Sequence, residues 1–236
     1  MNRIWLAALA LLLIANTPKE QAMDLIEQGK EADAFALIEK SANQGDAESI
    51  AYLAWFYDNG RHVEQDIARA STLYRKAAEQ GDSYAQWRLG VLIDEGLTEG
   101  SVEQAVELFR QAVAQGSTNA MTSLAVMHAT GRGVAKDYAA TRRYYQMAAE
   151  NGNPHALQGL GVLYMNGEGV EKSRVEAMAY WLLALSLGSE TASGYYQLVS
   201  KQIDDAEMHA IFKRANALAE QYGYENRFEA WDGAEE

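Results

Sequence analysis

The sequence contains no cysteine and only two prolines in 236 residues. Without cysteine the chain has no disulfide framework, no thiolate nucleophile, no Cys-ligated zinc site and no acceptor for a bacterial lipid anchor. The scarcity of proline, in a composition rich in Ala, Leu, Glu and Gln, favours helices over sheet. The low proline content therefore favours an all-α chain, and the absence of cysteine means that no disulfide holds it together.

Positive charge is also scarce. The chain has 20 Lys and Arg against 33 Asp and Glu, which gives a formal net charge of −13. Nucleic-acid binding needs clustered Lys and Arg that displace counterions from phosphates, so the composition argues against a nucleic-acid partner. A protein partner, in particular a basic one, is the better expectation.

The sequence has one long apolar run, Ile4 to Ile14, which follows Arg3 near the N-terminus. A membrane-spanning helix needs about 20 apolar residues, so this run of eleven predicts a secretory signal peptide instead. We expect cleavage after a residue between 15 and 22, with no membrane span afterwards and a periplasmic or secreted product. The alternative is an uncleaved N-terminal segment that anchors the protein in the membrane.

Glycine recurs with a fixed period through most of the chain. Intervals of 35 or 36 residues separate Gly45, Gly81, Gly116, Gly152 and Gly188. Glycine is the residue that most easily ends a helix in the left-handed conformation. A fixed period of this length is typical of stacked helical repeats.

Each unit begins with a helix whose apolar residues fall on one face. Counting from the repeat glycine, position eight is leucine, at Leu53, Leu89, Leu124 and Leu160. Positions four and nine are small and position twelve is large, and this spacing predicts a first helix with one packed side. At position fifteen a second glycine ends this helix, at Gly60, Gly96, Gly131 and Gly167.

A second helix follows a glycine-rich loop in each unit. Acidic or hydroxyl residues suited to the N-cap precede it, namely Asp66, Ser101, Asp137 and Ser173. Large aromatic residues recur at one position of this helix, which we expect to face inward, at Tyr74, Phe109, Tyr145 and Trp181. The loop glycines are expected to allow positive φ rather than to bind phosphate, because a helix and not a strand precedes them.

Four in-phase copies of this pattern closely resemble Sel-1-like repeats, which are relatives of the tetratricopeptide repeat. The resemblance implies an all-α fold, a right-handed α-solenoid of stacked helix pairs. We predict a signal peptide (1–15), N-terminal capping helices (16–44), repeats 45–80, 81–115, 116–151 and 152–187, C-terminal capping helices (188–222) and an acidic tail (223–236). Phe228 and Trp231 of the tail are expected to fold back onto the final helix, which a capping-box-like pair, Asp204 and Glu207, begins.

Catalytic and metal-binding motifs are missing from the sequence. It contains no HExxH, no Walker motif and no GxSxG, and its four histidines form no motif. His128 takes the place of a packing aromatic, so we expect it to pack. Some secreted Sel-1-like proteins have been described as β-lactamases, but no Ser-x-x-Lys tetrad occurs here, and a β-lactamase-like or cell-wall hydrolase activity is the weakest alternative. We predict that the protein is not an enzyme and has no cofactor or metal.

The remaining candidate for function is the exposed side of the first helices. Positions two, six and thirteen fall roughly opposite the leucines and are expected to line a concave groove. The predicted partner-binding residues are Asp58, Trp87, Arg88, Asp94, Glu95, Thr122, Gln158 and Met165. Trp87 beside acidic residues is typical of an interface anchor, so Trp87→Ala should weaken partner binding without unfolding the protein. The alternative is that Trp87 packs against a neighbouring helix.

The resemblance implies a non-enzymatic interaction scaffold or adaptor of the bacterial cell envelope, a monomer or weak dimer that binds a protein partner in its groove. The alternative is a periplasmic immunity protein that neutralises a secreted toxin. That hypothesis is consistent with the charge, because an acidic groove would capture a basic toxin quickly.

Overall fold

The structure is a computed structural model that describes residues 17–225 and residue 228. These residues fold into twelve α-helices joined by short turns and loops. The predicted signal peptide (1–15) and Trp231 lie outside the described residues. The chain divides into two compact units, Met1–Ser101 and Val102–Glu236.

The first unit contains five helices, each packed against its neighbours in sequence. They are α1 (Pro18–Glu27), α2 (Glu31–Asn43), α3 (Ala47–Asn59), α4 (Ile67–Glu79) and α5 (Ser83–Asp94). The fully buried side chains of its core include Ile38, Phe56, Tyr74, Leu89 and Leu92, all at most 2% exposed. A capping box begins α1, in which the side chains of Thr17 and Glu20 each accept a backbone N–H of the other residue.

The second unit contains seven helices. They are α6 (Val102–Ala114), α7 (Thr118–Thr130), α8 (Tyr138–Glu150), α9 (Pro154–Asn166), α10 (Arg174–Ser186), α11 (Glu190–Ser200) and α12 (Asp205–Tyr222). The last helix, α12, packs on α10 and covers the end of the array. Trp181 and Leu183 of α10 are buried in this core together with Leu218 of α12.

Caps confirm most of the predicted helix boundaries, although Glu95 in the right-handed conformation, and not Gly96, is the C-cap of α5. Asp66 accepts the N–H of Arg69 at 2.9 Å, and Asp137 and Ser173 cap α8 and α10 in the same way. Gly60, Gly131 and Gly167 end first helices with φ of 63°, 76° and 77°. One signal was missed: the residue after each repeat glycine is itself an N-cap, in Asp46, Asp82, Ser117, Asn153 and Ser189.

The repeated aromatic residues of the second helices are buried as predicted. Tyr74, Phe109, Tyr145 and Trp181 are at most 8% exposed. In α9 two glycines make room for such rings: a Cβ added to Gly159 would lie 2.4 Å from Cζ of Tyr145, and one added to Gly161 would lie 2.3 Å from Nε1 of Trp181. The indole of Trp181 also donates a hydrogen bond to the carbonyl oxygen of Gln158 at 3.2 Å. The small residues of the first helix therefore allow the second helices to approach closely.

The C-terminal end differs from the prediction in one detail. Asp204 caps α12 by accepting the N–H of Glu207 at 2.9 Å, as predicted. The Glu207 carboxylate does not return to the cap, however, because it pairs with the Arg174 guanidinium. Phe228 folds back as predicted, since its N–H donates to Oδ1 of Asn216 at 2.8 Å and its carbonyl accepts from Nδ2 of Asn216 at 2.9 Å.

Candidate protein-binding face

The first helices of the repeats, α3, α5, α7 and α9, have one buried side and one side turned away from it. Positions four, eight and eleven after each repeat glycine are buried in all four helices. Positions five and nine are buried in all four helices as well. At about 100° per residue, positions three, six, seven and ten are centred on the side opposite this whole buried set. We call the side that carries positions three, six, seven and ten of a first helix the A face, and α11 continues the same numbering after Gly188.

An apolar residue occupies position ten of every A face. These residues are Trp55 and Val91 in the first unit and Val126, Val162 and Leu198 in the second. Val126 is 39% exposed and Leu198 is 72% exposed, while the other three are half-buried. This row is not among the groove positions predicted from the sequence, because the centre of positions two, six and thirteen is rotated by about 70° from the centre of the A face on a helix of 3.6 residues per turn.

In the first unit the A face contains a cavity of about 300 Å³, which we call the first cleft. Its lining residues are Lys19, Met23, Glu48, Ala51, Tyr52, Trp55, Asp82 and Tyr84. The rings of Tyr52 and Trp55 stack at 5.2 Å and 14° to form one wall. Met23 of α1 is 46% exposed beside them, so the cleft is apolar and open to solvent.

Charged groups stand among the aromatic rings of the first cleft. Lys19 Nζ lies 3.1 Å from Oε1 of Glu48, and both side chains are more than a third exposed. Asp82 accepts the N–H of Ala85 at 2.7 Å. Burial raises the pKa of Asp82 above its usual range, although backbone N–H donors and Lys19 act in the opposite direction.

The second unit has a cavity of about 270 Å³ on its own A face, which we call the second cleft. Its lining residues are Thr122, Val126, Ala129, Tyr145, His155, Gln158, Gly159, Val162, Leu163 and Glu168. Burial raises the pKa of Tyr145, which packs over Gly159, to about 12. Thr122 and Gln158 were predicted as binding residues, and both line this cleft. The Gln158 side chain also accepts a hydrogen bond from the Thr191 hydroxyl at 2.7 Å.

Asp58 does not lie on an open surface, which corrects the expectation that it lines a groove. It is 6% exposed, and its Oδ2 accepts from Nη2 of Arg88 at 2.5 Å, from Nε of Arg88 at 3.0 Å and from the Tyr74 hydroxyl at 3.1 Å. The physical reason is that position thirteen is turned toward the second helix and the next first helix. Asp58 and Arg88 therefore link α3, α4 and α5.

Trp87 is half-buried, so it is neither a fully exposed interface anchor nor a fully buried packing residue, the two alternatives predicted for it. Its ring lies 5.6 Å from that of Tyr84, and the Arg88 guanidinium lies 5.5 Å from its centroid. Asp94 is half-buried and Glu95 is exposed at the end of α5, outside the first cleft. The effect of Trp87→Ala on partner binding stays a prediction.

Met165 is the last of the eight predicted residues. It is half-buried in α9 and packs against the core of the second unit. The predicted residues are thus distributed over both units and do not form one cluster. Within each unit the clefts gather residues of positions three, six, seven and ten, such as Tyr84, Thr122, Tyr52 and Val162.

His128 and His155 lie in different helices, α7 and α9. His128 is half-buried and stacks on Tyr144 at 5.7 Å and 21°, which confirms its packing role, whereas His155 is exposed at the second cleft. Between residues 17 and 225 no three His, Asp or Glu side chains are grouped as metal ligands would be. In the same part of the chain no helix is both long and apolar enough to cross a membrane.

Comparison with known proteins identifies relatives with this architecture. The model of the Sel1 repeat family matches residues 26–46, 47–82, 83–117, 118–153 and 154–189. The first of these segments lies mostly within the predicted N-terminal cap. A solved structure of a protective antigen present in uropathogenic Escherichia coli strains is similar at a TM-score of 0.75 and 30% identity, over 88% of this chain and 46% of that chain.

Among curated proteins, the ERAD-associated E3 ubiquitin-protein ligase component HRD3B of Arabidopsis thaliana is 34% identical over 142 residues, which are 54% of this chain and 23% of that protein. The chain spans less than a quarter of the length of the curated relatives it matches. An immunity protein from Pseudomonas aeruginosa is similar at a TM-score of 0.51 and 23% identity, over 68% of this chain and 60% of that chain. This last likeness shows the fold alone.

Proposed function

The chain belongs to the Sel1 repeat family, whose repeats mediate protein–protein interactions, and we propose that it is a non-catalytic scaffold or adaptor of the bacterial cell envelope that binds a protein partner on its A face. The observation that carries this proposal is the apolar residue at position ten of each first helix, beside a cleft in each unit. A contiguous exposed apolar patch on a protein surface typically marks an interaction site.

The composition of the A face supports a protein partner over a small substrate. Aromatic rings and valine form its apolar part, Met23 of α1 adds to the first cleft, and Lys19, Glu48 and Glu168 are charged groups at the clefts. An apolar centre with a polar surround is the usual anatomy of a protein interface, and aromatic residues are enriched at the centres that contribute most to affinity. Repeat proteins use such extended faces to bind other proteins.

A site-specific photo-crosslinking experiment tests the proposal. The photoreactive residue benzoylphenylalanine replaces Val126 on the A face in one strain and Gln111, exposed on the second helix α6, in a matched control strain. Illumination of intact cells should produce a discrete heavier adduct from position 126 and none from position 111. Adducts of equal yield from both positions, or from position 111 alone, would contradict binding on the A face.

The envelope location is the part of the proposal that rests on sequence alone, on the apolar run that begins at Ile4. We expect mass spectrometry of the protein from a periplasmic extract to find an N-terminus between residues 16 and 23. An intact N-terminus in the membrane fraction would support the anchored alternative. A full-length protein recovered from the cytoplasm would contradict both.

Immunity against a secreted toxin is the second candidate, and the net charge of −13 favours it. An acidic protein is attracted to a basic toxin at long range, which speeds association and makes the rate sensitive to salt. A gene for a secretion-system effector next to this one, and survival of cells that express both, would favour this candidate. A crosslinked partner that is a resident envelope protein would favour the adaptor.

A further inference from the structure

The first cleft combines aromatic rings with carboxylates in one small volume. Tyr52, Trp55 and Tyr84 contribute the rings, and Glu48 and Asp82 contribute the carboxylates. The face of an aromatic ring attracts an ammonium or guanidinium group, while the aliphatic stem of Lys or Arg packs on apolar surface. A cleft with both features is suited to a basic side chain.

The first cleft has more negative than positive side chains in its lining. Of its eight described lining residues, Glu48 and Asp82 are carboxylates and Lys19 is the single cation. The Lys19 and Glu48 side chains are 38% and 39% exposed, and an ion pair with that exposure contributes little to stability. A second cation can therefore replace Lys19 at Glu48 without a large loss of stability.

The same unit already holds a guanidinium in surroundings of this kind. Arg88 donates two hydrogen bonds to Asp58 while its guanidinium lies 5.5 Å from the centroid of the Trp87 ring. Arg88 occupies position seven of α5, and the residue at position seven of α3 is Tyr52, which lines the cleft. At the first cleft the aromatic and acidic components recur with Lys19 of α1, and the Arg61 guanidinium lies 5.9 Å from the centroid of the Trp55 ring.

We propose that the first cleft accepts an arginine or lysine side chain of the protein partner, which takes the place of Lys19 at Glu48 and packs its stem on the rings of Tyr52 and Trp55. This inference rests on the proposed function, because it names the chemistry by which the A face of the first unit selects a partner. The second cleft has Glu168 as the one carboxylate in its lining and is the less acidic of the two.

Calorimetric titration with matched synthetic peptides tests the inference. The first probe is an acetylated and amidated pentapeptide with a central arginine between two leucines, and the second has citrulline, which has the same shape and no charge, in place of the arginine. At low salt the arginine peptide should bind the wild-type protein about fivefold more tightly or better, which corresponds to a single charged contact.

Two variants and a control locate the effect. Glu48→Gln should remove the preference for arginine, whereas Lys19→Ala should raise the affinity for the arginine peptide about twofold to fivefold, because it removes the internal competitor. Glu79→Gln, which neutralises an exposed carboxylate on α4, should leave both affinities unchanged. Circular dichroism melting of each variant checks that it is folded.

Equal affinity for the two peptides, no binding of either at millimolar concentration, or an unchanged preference in Glu48→Gln would overturn the inference. Acetylarginine amide that binds as tightly as the pentapeptide would also overturn it, because the cleft would then be a site for a small cation. In each of these cases a crosslink from position 126 would still support the proposed function, so the two failures are distinguishable.

Discussion

Two glycines of α9 determine how closely the neighbouring second helices approach it. Gly159 lies against the ring of Tyr145 and Gly161 against the indole of Trp181, at distances that leave no room for a methyl group. Close packing of this kind makes the site sensitive to a single added carbon, since interiors have few voids that could take up the strain. The lack of a side chain at Gly159 and Gly161 is therefore a structural requirement for the packing of α9, although Gly159 also lines the second cleft.

Gly161→Ala should lower the free energy of unfolding by about 1–3 kcal/mol, because the new Cβ overpacks the Trp181 indole. The matched control is Gly194→Ala in α11, where an added Cβ meets no atom within 4 Å. There alanine should stabilise the helix by up to about 1 kcal/mol. Urea denaturation of both variants measures the two effects, and equal changes would contradict the packing argument.

The phenol of Tyr145 makes stability depend on pH in the alkaline range. Burial raises its pKa to about 12 in the folded protein, while an unfolded chain has the ordinary value of about 10. Between these values the folded state binds more protons, so stability falls as pH rises, by about 1 kcal/mol at pH 11 from this residue.

In Tyr145→Phe this contribution is absent, so the loss of stability between pH 8 and pH 11 should be smaller than in the wild type. Urea denaturation at the two pH values gives the comparison. Tyr195→Phe is the control because Tyr195 is 41% exposed. An identical pH dependence in wild type and Tyr145→Phe would show that this phenol does not contribute.

At the level of elements, the helices could be predicted closely because their ends are encoded locally. Glycine needs no partner to adopt positive φ, and an Asp or Ser side chain reaches the N–H of a residue three positions on. These signals do not depend on tertiary structure. The Glu207 carboxylate shows where local reasoning fails, because Arg174 of another helix takes it away from the cap of α12.

Asp204→Ala should destabilise α12 by about 1 kcal/mol, because it removes the acceptor for the Glu207 N–H. Asp205→Ala is the matched control, since Asp205 is acidic in the first turn but is not the cap. The difference in melting temperature between the two variants isolates the cap. A loss in Asp205→Ala as large as that in Asp204→Ala would instead indicate a general effect of charge near the helix N-terminus.

At the scale of the whole molecule, the chain is a series of similar packing units rather than one concentric core. The described helices are packed mainly on their neighbours in sequence, and two compact units result. Stability in such an array is close to a sum over repeats and their interfaces, so a local defect is expected to have a local effect.

Hydrogen exchange in Gly161→Ala tests this expectation. Amides of α9 and α10 should lose protection first, while those of α3 and α4 in the other compact unit should keep nearly wild-type protection. Mass spectrometry of peptic peptides resolves the two regions. A uniform loss of protection over all helices would show instead that the chain unfolds as one cooperative unit.

The sequence by itself determined the all-α repeat architecture, the helix ends and the inward position of the aromatics, because glycine turns, caps and apolar periodicity are local and recur in phase. Only the tertiary structure decided which exposed residues share a surface. Asp58 was expected at a groove and is buried because Arg88, 30 residues on, reaches it, while Trp55 and Tyr84 meet at the first cleft although no local pattern joins them. The surroundings of a side chain that faces another repeat depend on the residues of that repeat. A small error in the predicted rotation of a helix therefore assigns the wrong row of residues to the exposed surface.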